Sequence, residues 1–115
     1  MDEMQALDAL GALSQETRLR IVRLLVTAGP GGMAAGAIGD AMGATSSRLS
    51  FHLTHLEAAG LVQSRREGRS IRYSAVYEAL SGLIAFLMRD CCQGHPKVCT
   101  PALSACACSP VEPAE

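Results

Sequence analysis

From Ala44 to Gly60 the chain reads ATSSRLSFHLTHLEAAG, and its apolar positions recur at helical spacing. With successive residues about 100° apart, Leu49, Leu53 and Leu56 form one stripe at i, i+4, i+7, the pattern of a helix with one buried side. Ser47, Phe51, Thr54 and Ala58 point the opposite way, flanked by Arg48, Ser50 and His55. Thr45 or Ser46 offers the N-cap oxygen, and Gly60 the left-handed position that ends the helix. Hydroxyls, one arginine and a lone phenylalanine are poor packing material. They suit the edges of bases in a major groove, where a hydroxyl can donate or accept and an apolar ring can meet a thymine methyl. His52 lies between the two faces, where a partly buried, hydrogen-bonding histidine is expected.

The rest of the pattern surrounds this helix. Met4 to Leu13 predicts a short helix with an apolar stripe of Leu7, Leu10 and Leu13, together with Met4 and Ala6. Ser14 is the expected cap of a second helix, QETRLRIVRLLVTA, with Leu19, Val22, Leu25 and Val26 inward and Arg18, Arg20 and Arg23 solvated. Gly29-Pro30-Gly31-Gly32 breaks the chain; without a following Gly-Lys-Ser/Thr it is a linker rather than a phosphate loop. Met33 to Met42 predicts a small Ala-rich helix, with Ile38 and Met42 at i, i+4, closed by Gly43. Two short helices meeting at Gly43-Ala44 satisfy the helix-turn-helix pattern. After Gly60 the period shortens to about 2, from Leu61 to Arg66 and again from Ser70 to Ser74, with a turn at Glu67-Gly68-Arg69. This is a β-hairpin whose arginines could lie along the phosphate backbone, a wing. Val76 to Asp90 is a last helix, apolar on more than one side, expected to pack on its own core and on a second subunit with the first helix as companion. The fold class is therefore mostly α with a small β-hairpin, a dimeric winged helix-turn-helix spanning residues 1–90. Residues 91–115, with no periodicity and four prolines, read as a cysteine-rich, ligand-binding tail that ends in disorder.

Composition narrows the reading. At 115 residues, 49% hydrophobic and 3% aromatic, the chain is one small domain with an aliphatic core that a partner chain would help to stabilise. No apolar run approaches the roughly 18 residues of a membrane span, and the opening MDEMQ is acidic where a signal peptide is basic, so a cytoplasmic protein is expected. The net charge of −1 argues against a general polyanion binder. Residues 44–74, however, hold five arginines against two glutamates, a local +3 that suggests a confined phosphate footprint.

The element order, with the words LSQETRLRIVRLL and LSFHLTHLEAAGLVQSRREGRSIRYS and the trailing cysteines, closely resembles the ArsR/SmtB family of bacterial metal-responsive repressors over about residues 4–90. That resemblance implies a homodimer on a palindromic double-stranded operator, released when an inducer binds. It places Ser46, Ser47, Arg48, Ser50 and His52 in the DNA-reading helix and Arg65, Arg66, Gly68 and Arg69 in the wing. With the residues read above, the expected DNA contacts are Thr45, Ser46, Ser47, Arg48, Ser50, Phe51, His52, Thr54, His55, Arg65, Arg66, Arg69 and Arg72.

All five cysteines, Cys91, Cys92, Cys99, Cys106 and Cys108, lie in the last quarter of the chain. In a reducing compartment such a cluster points to metal binding or redox sensing rather than to structural disulfides. Many arsenic sensors of the family carry Cys-Val-Cys at the start of the recognition helix, but this helix contains no cysteine. Cys91, Cys92 and Cys99 resemble the variant of the site placed at the end of the last helix. Trivalent arsenic is soft and condenses with three thiols to a pyramidal tris-thiolate. Adjacent cysteines and a third returning after Gln93-Gly94-His95-Pro96 can supply those thiols. Arsenite is thus the expected inducer, with antimonite alike in chemistry. The alternatives are zinc or cadmium, with His95 or Cys106 completing a tetrahedral set, and a thiol redox switch. Cys106 and Cys108 are accessory at most. A small thiol-dependent enzyme is the reading from another class, and the chain shows no positioned acid or base that turnover needs.

Overall fold

The computed structural model describes residues 1–89. These form helices α1 (Glu3–Leu13), α2 (Glu16–Ala28), α3 (Ala35–Met42), α4 (Ser46–Ala58) and α5 (Tyr77–Met88), with strands β1 (Met33–Ala34), β2 (Val62–Glu67) and β3 (Ser70–Ala75). The chain divides into two units, Met1–Leu83 and Ile84–Glu115. Asp90, the six cysteine and histidine residues proposed as ligands (Cys91, Cys92, His95, Cys99, Cys106 and Cys108) and the rest of the tail lie outside the described residues.

Local chemistry sets the helix ends. Asp2 and Gln5 form a reciprocal capping box on α1, each side chain accepting from the other's backbone N–H at 2.8 and 2.9 Å. At the end of α3, Gly43 takes the left-handed conformation (φ 64°), while the Ala44 and Gly43 N–H groups donate back to the Gly39 and Asp40 carbonyls. This is the turn of the helix-turn-helix. The end of α4 repeats the device: Gly60 has φ 80°, Gly60 N–H donates to the Glu57 carbonyl, and Leu61 N–H to that of Leu56, both at 3.0 Å. Leu56 and Leu61, fully buried, make the apolar contact that accompanies such an ending.

The strands form an antiparallel sheet of order β1-β3-β2. In the hairpin Val62 faces Ala75 and Glu67 faces Ser70, so Gly68 (φ 61°) and Arg69 make a two-residue turn. The core is aliphatic as expected: Ile21 and Leu25 of α2, Ile38 of α3, Leu53 and Leu56 of α4, and Leu61 are its largest fully buried side chains. Leu49, Leu53 and Leu56 all face this core, which fixes the side of α4 that remains outside.

Five expectations need correction. Met33 and Ala34 do not begin α3 but pair with Tyr73 and Arg72 as β1; Gly32 feeds this strand so closely that a Cβ there would run into the Tyr73 carbonyl. Gly29 to Gly32 is accordingly a shaped turn, with Gly32 N–H donating to the Gly29 carbonyl at 3.0 Å. Ser14 closes α1, its hydroxyl donating to the Gly11 carbonyl, and it is Gln15 that caps α2 through Arg18 N–H. In α1 the alanines Ala6, Ala9 and Ala12 are the buried positions, and Leu7 and Leu10 are exposed. Cα atoms of α1 come within 8 Å of both α2 and α4, a separation that suits small side chains on the shared face. In α2 the inward stripe is Arg18, Ile21, Val22 and Leu25, whereas Leu19 and Val26 are exposed. Arg18 occupies the i position of an i, i+3, i+4, i+7 set, and its side chain goes inward because polar partners await it there.

Candidate nucleic-acid interface

The outer face of α4 is built by default: with three leucines committed to the core, Ser47, Arg48, Ser50, Phe51, Thr54 and His55 stand exposed. Phe51 is 64% exposed, a large apolar ring left outside the core. It meets the His52 and His55 rings edge-on, with centroids 5.5 and 6.3 Å away. Thr45 is the N-cap, its hydroxyl accepting from Arg48 N–H at 3.3 Å.

The N-terminal half of α4 is flanked by two hollows of different character. One, of about 610 Å³, is lined by Gln15 and Thr17 at the start of α2, by the Gly43-Ala44 turn, and by Thr45, Arg48, Phe51 and His52. Two helix N-termini, each with a single side-chain capping bond and a positive dipole end, and Arg48 therefore border one space, a setting suited to a DNA phosphate. The other, of about 360 Å³, lies between α3, α4 and β3 and is lined by Ser46, Ser50, Asp40 and Tyr73 among others. Asp40 gives that side the opposite charge. His55 lies further along α4, where it shares a shallow hollow with Asp8 of α1.

His52 is half-buried and hydrogen-bonded, as its position between the faces suggested. Its Nδ1 lies 3.2 Å from an Arg18 guanidinium nitrogen. Arginine can only donate, so Nδ1 is the unprotonated acceptor and the neutral ring carries its hydrogen on Nε2. Burial, then the positive charges of Arg18, Arg48 and His55, push the His52 pKa below its ordinary 6.5.

The wing arginines are placed unequally. Arg65 pairs with Glu67 at 2.9 Å, both groups more than half exposed. Arg72 turns back into the protein and donates to the Gly31 and Gly32 carbonyls at 3.1 and 2.9 Å, holding the turn before β1 against the sheet. Arg66 and Arg69 are exposed and, among the described residues, form no ion pair. The Ser64 hydroxyl donates to the Glu57 carboxylate at 2.8 Å, tying the wing to α4. The structure thus brings Thr45, Arg48, Phe51 and His52 together on one hollow, and adds Gln15 and Thr17, which the sequence reading missed. The spacing of Arg18 with Ile21, Val22 and Leu25 was the one signal that the α2 N-terminus belongs to this site.

Comparison with known proteins agrees with this geometry. A helix-turn-helix domain family model matches residues 13–65. The chain is 35% identical over 88 residues to the HTH-type transcriptional regulator YgaV of Escherichia coli K12, covering 76% of this chain and 87% of that one. Among solved structures it is similar to the homodimeric winged helix-turn-helix DNA-binding domain of a possible ArsR-family regulator from Mycobacterium bovis. There the TM-score is 0.62 and the identity 28%, covering 95% of this chain and 88% of that one. It is also similar to a possible transcriptional regulator for arsenical resistance, with TM-score 0.61 and 33% identity over 69% of this chain and 79% of that one. Among the described residues no helix is long and apolar enough to cross a membrane. The chain belongs to the ArsR/SmtB family of winged-helix transcriptional regulators, as a DNA-binding protein and not an enzyme.

Proposed function

We propose that this protein is a cytoplasmic, homodimeric repressor that leaves its operator when trivalent arsenic, or antimony, is bound by Cys91, Cys92 and Cys99. The observation that carries the reading is the segregation of chemistry along the chain: the exposed face of α4 holds hydroxyls, Arg48 and Phe51 but no thiol, and every cysteine lies beyond residue 90. Cys-Cys-x6-Cys offers three soft donors, the number a pyramidal arsenic centre takes. The likeness to a possible regulator for arsenical resistance supports the same inducer.

Dimerisation is supported by the M. bovis relative and by α1, whose Met4, Leu7 and Leu10 are 68, 56 and 41% exposed and wait for cover. In the second unit Ile84 and Leu87 are also exposed. In such a dimer two copies of α4 would enter successive major grooves ~34 Å apart, with Arg66 and Arg69 on the flanking backbone. Inducer binding at the end of the chain would change the spacing of the two reading helices, with a coupling of roughly 5- to 150-fold in operator affinity.

The test is a titration of operator-bound protein with arsenite, followed by fluorescence anisotropy. Wild type should dissociate, and the Cys91→Ser/Cys92→Ser protein should bind DNA equally well but stay bound. Release of that variant by arsenite would sink the assignment. Zinc or cadmium is the second reading, because either His95 or Cys106 could provide a fourth donor; metal analysis of protein purified under reducing conditions separates the two.

A further inference from the structure

Arg18 is the only buried charged residue among those described, 8% exposed, and it forms no ion pair there. Its guanidinium is compensated by two polar contacts, and its backbone N–H makes a third. Its Nε donates to the Ala12 carbonyl at 2.8 Å, one of the end-of-helix acceptors that α1 leaves unpaired. A terminal nitrogen donates to His52 Nδ1 on α4 at 3.2 Å. Its backbone N–H is held by the Gln15 side chain at 2.8 Å. One guanidinium, carried on the first turn of α2, thus joins the C-terminal end of α1 to the middle of α4. A planar fork with fixed donor directions can serve two acceptors in this way; an ammonium on a flexible stem cannot hold both directions at once.

We propose that Arg18 is a positioning residue for DNA reading: it fixes the rotation of α4 and holds His52 as a neutral ring that presents its Nε2–H to a DNA acceptor at the hollow beside Arg48. The inference rests on α4 being the DNA-reading helix. Arg18 itself touches no DNA. It acts by occupying Nδ1, which leaves His52 one polar atom to offer, a donor, on the residue that lines the hollow bordered by the N-termini of α2 and α4. Phosphate oxygens and the purine N7 are acceptors of the kind such a donor meets.

The consequence has a sign that plain electrostatics does not share. The groups acting on His52 are the cations Arg18 across the junction and Arg48 on its own helix, with the neighbouring His55 imidazole after them. Of the nearby carboxylates, Asp8 of α1 lies beside His55, Asp40 of α3 lines the hollow on the other flank of α4, and Glu57 accepts from Ser64 of β2. Protonating an exposed histidine beside DNA adds attraction for phosphate. Protonating His52 removes the acceptor that Arg18 needs and sets two cations against each other, so the junction opens and operator binding weakens.

The test uses full-length wild type and the variants His52→Asn, Arg18→Lys and Arg18→Gln. The DNA is a short duplex selected from a random-sequence library by the wild-type protein. Asparagine places an amide oxygen close to where Nδ1 sits, so H52N keeps the acceptor for Arg18 while losing the titration and the Nε2–H. Wild-type affinity should fall as pH is lowered from about 7.5, by roughly twofold at the midpoint of the His52 titration in the free protein and further below it. H52N should bind more weakly at pH 7.5 and show no such fall, and R18K should not restore wild-type binding. In the free protein, NMR titration of the imidazole should show His52 titrating below an ordinary histidine, and closer to it in R18Q. Thermal unfolding of each variant keeps loss of fold apart from loss of reading. Wild-type affinity that is flat or rises on acidification, or an equal fall in H52N, overturns the proposal while the operator reading stands. A wild-type protein that selects no duplex overturns both.

Discussion

Replacing Gly32 with alanine tests whether the turn before β1 is structural or a passive linker. Gly32 has φ 71°, and a Cβ built on it meets the Tyr73 carbonyl at a distance no real contact shows, with the Ser74 side chain also close. Two costs follow. The left-handed conformation alone costs an alanine ~1 kcal/mol. Relieving the collision requires β1 to move off β3, which loosens the Met33–Tyr73 and Ala34–Arg72 pairing and the two hydrogen bonds from Arg72 to Gly31 and Gly32. Hydrogen bonds from a charged donor contribute about 1.5–3 kcal/mol each, so losing one together with part of the strand pairing brings the total to ~3–4 kcal/mol, a large part of a small domain's stability. Gly43 supplies the control: its φ is 64° and a Cβ there meets nothing within 4 Å, so Gly43→Ala carries the conformational cost alone. Urea unfolding followed by circular dichroism should place G32A ~2 kcal/mol or more below G43A, with equal m-values. If the two variants unfold together, the close approach of Gly32 to β3 is not a constraint on the fold.

Phe51→Ala should change stability by less than ~0.5 kcal/mol, as expected of an exposed side chain, yet weaken operator binding; unfolding and anisotropy measured on the same preparation decide it. Arg66→Ala and Arg69→Ala should each lower the dependence of log K on log salt by about 1 and weaken binding across sequences alike. Arg65→Ala should act less, because Glu67 already engages that side chain. Finally, because the folded state lowers the His52 pKa below 6.5, it favours the neutral ring. That contribution to stability is fully present above the unfolded value of 6.5 and is lost as pH falls through the lowered one. Unfolding free energy followed through this window should decline more in wild type than in H52N, and equal slopes would refute the linkage.

Much of the outer face of α4 was legible in the residues themselves. A helix with Leu49, Leu53 and Leu56 on one stripe must turn Ser47, Arg48, Phe51 and Thr54 outward, and Gly43, Gly60 and Gly68 mark its turn, its end and the tip of the wing. These are local consequences of periodicity and of backbone conformations that only glycine adopts easily. The proposed inducer ligands Cys91, Cys92 and Cys99 rest on residue type and spacing alone, and lie outside the described residues.

Tertiary structure decided the rest. Periodicity counts apolar residues, but it cannot say how near a neighbouring backbone will come, so α1 buries Ala6, Ala9 and Ala12 and leaves Leu7 and Leu10 outside. Hydropathy assigned Arg18 to solvent; the unpaired Ala12 carbonyl and His52 Nδ1, six and 34 residues away, made its burial possible. The same holds for Arg72, drawn from the wing face by two carbonyls about 40 residues earlier, and for the two residues of β1, which are a strand only because β3 passes beside them. A sequence states what a segment prefers alone. Where a polar side chain finds its partner depends on residues that the chain brings close only on folding, as Arg18 meets His52 of α4.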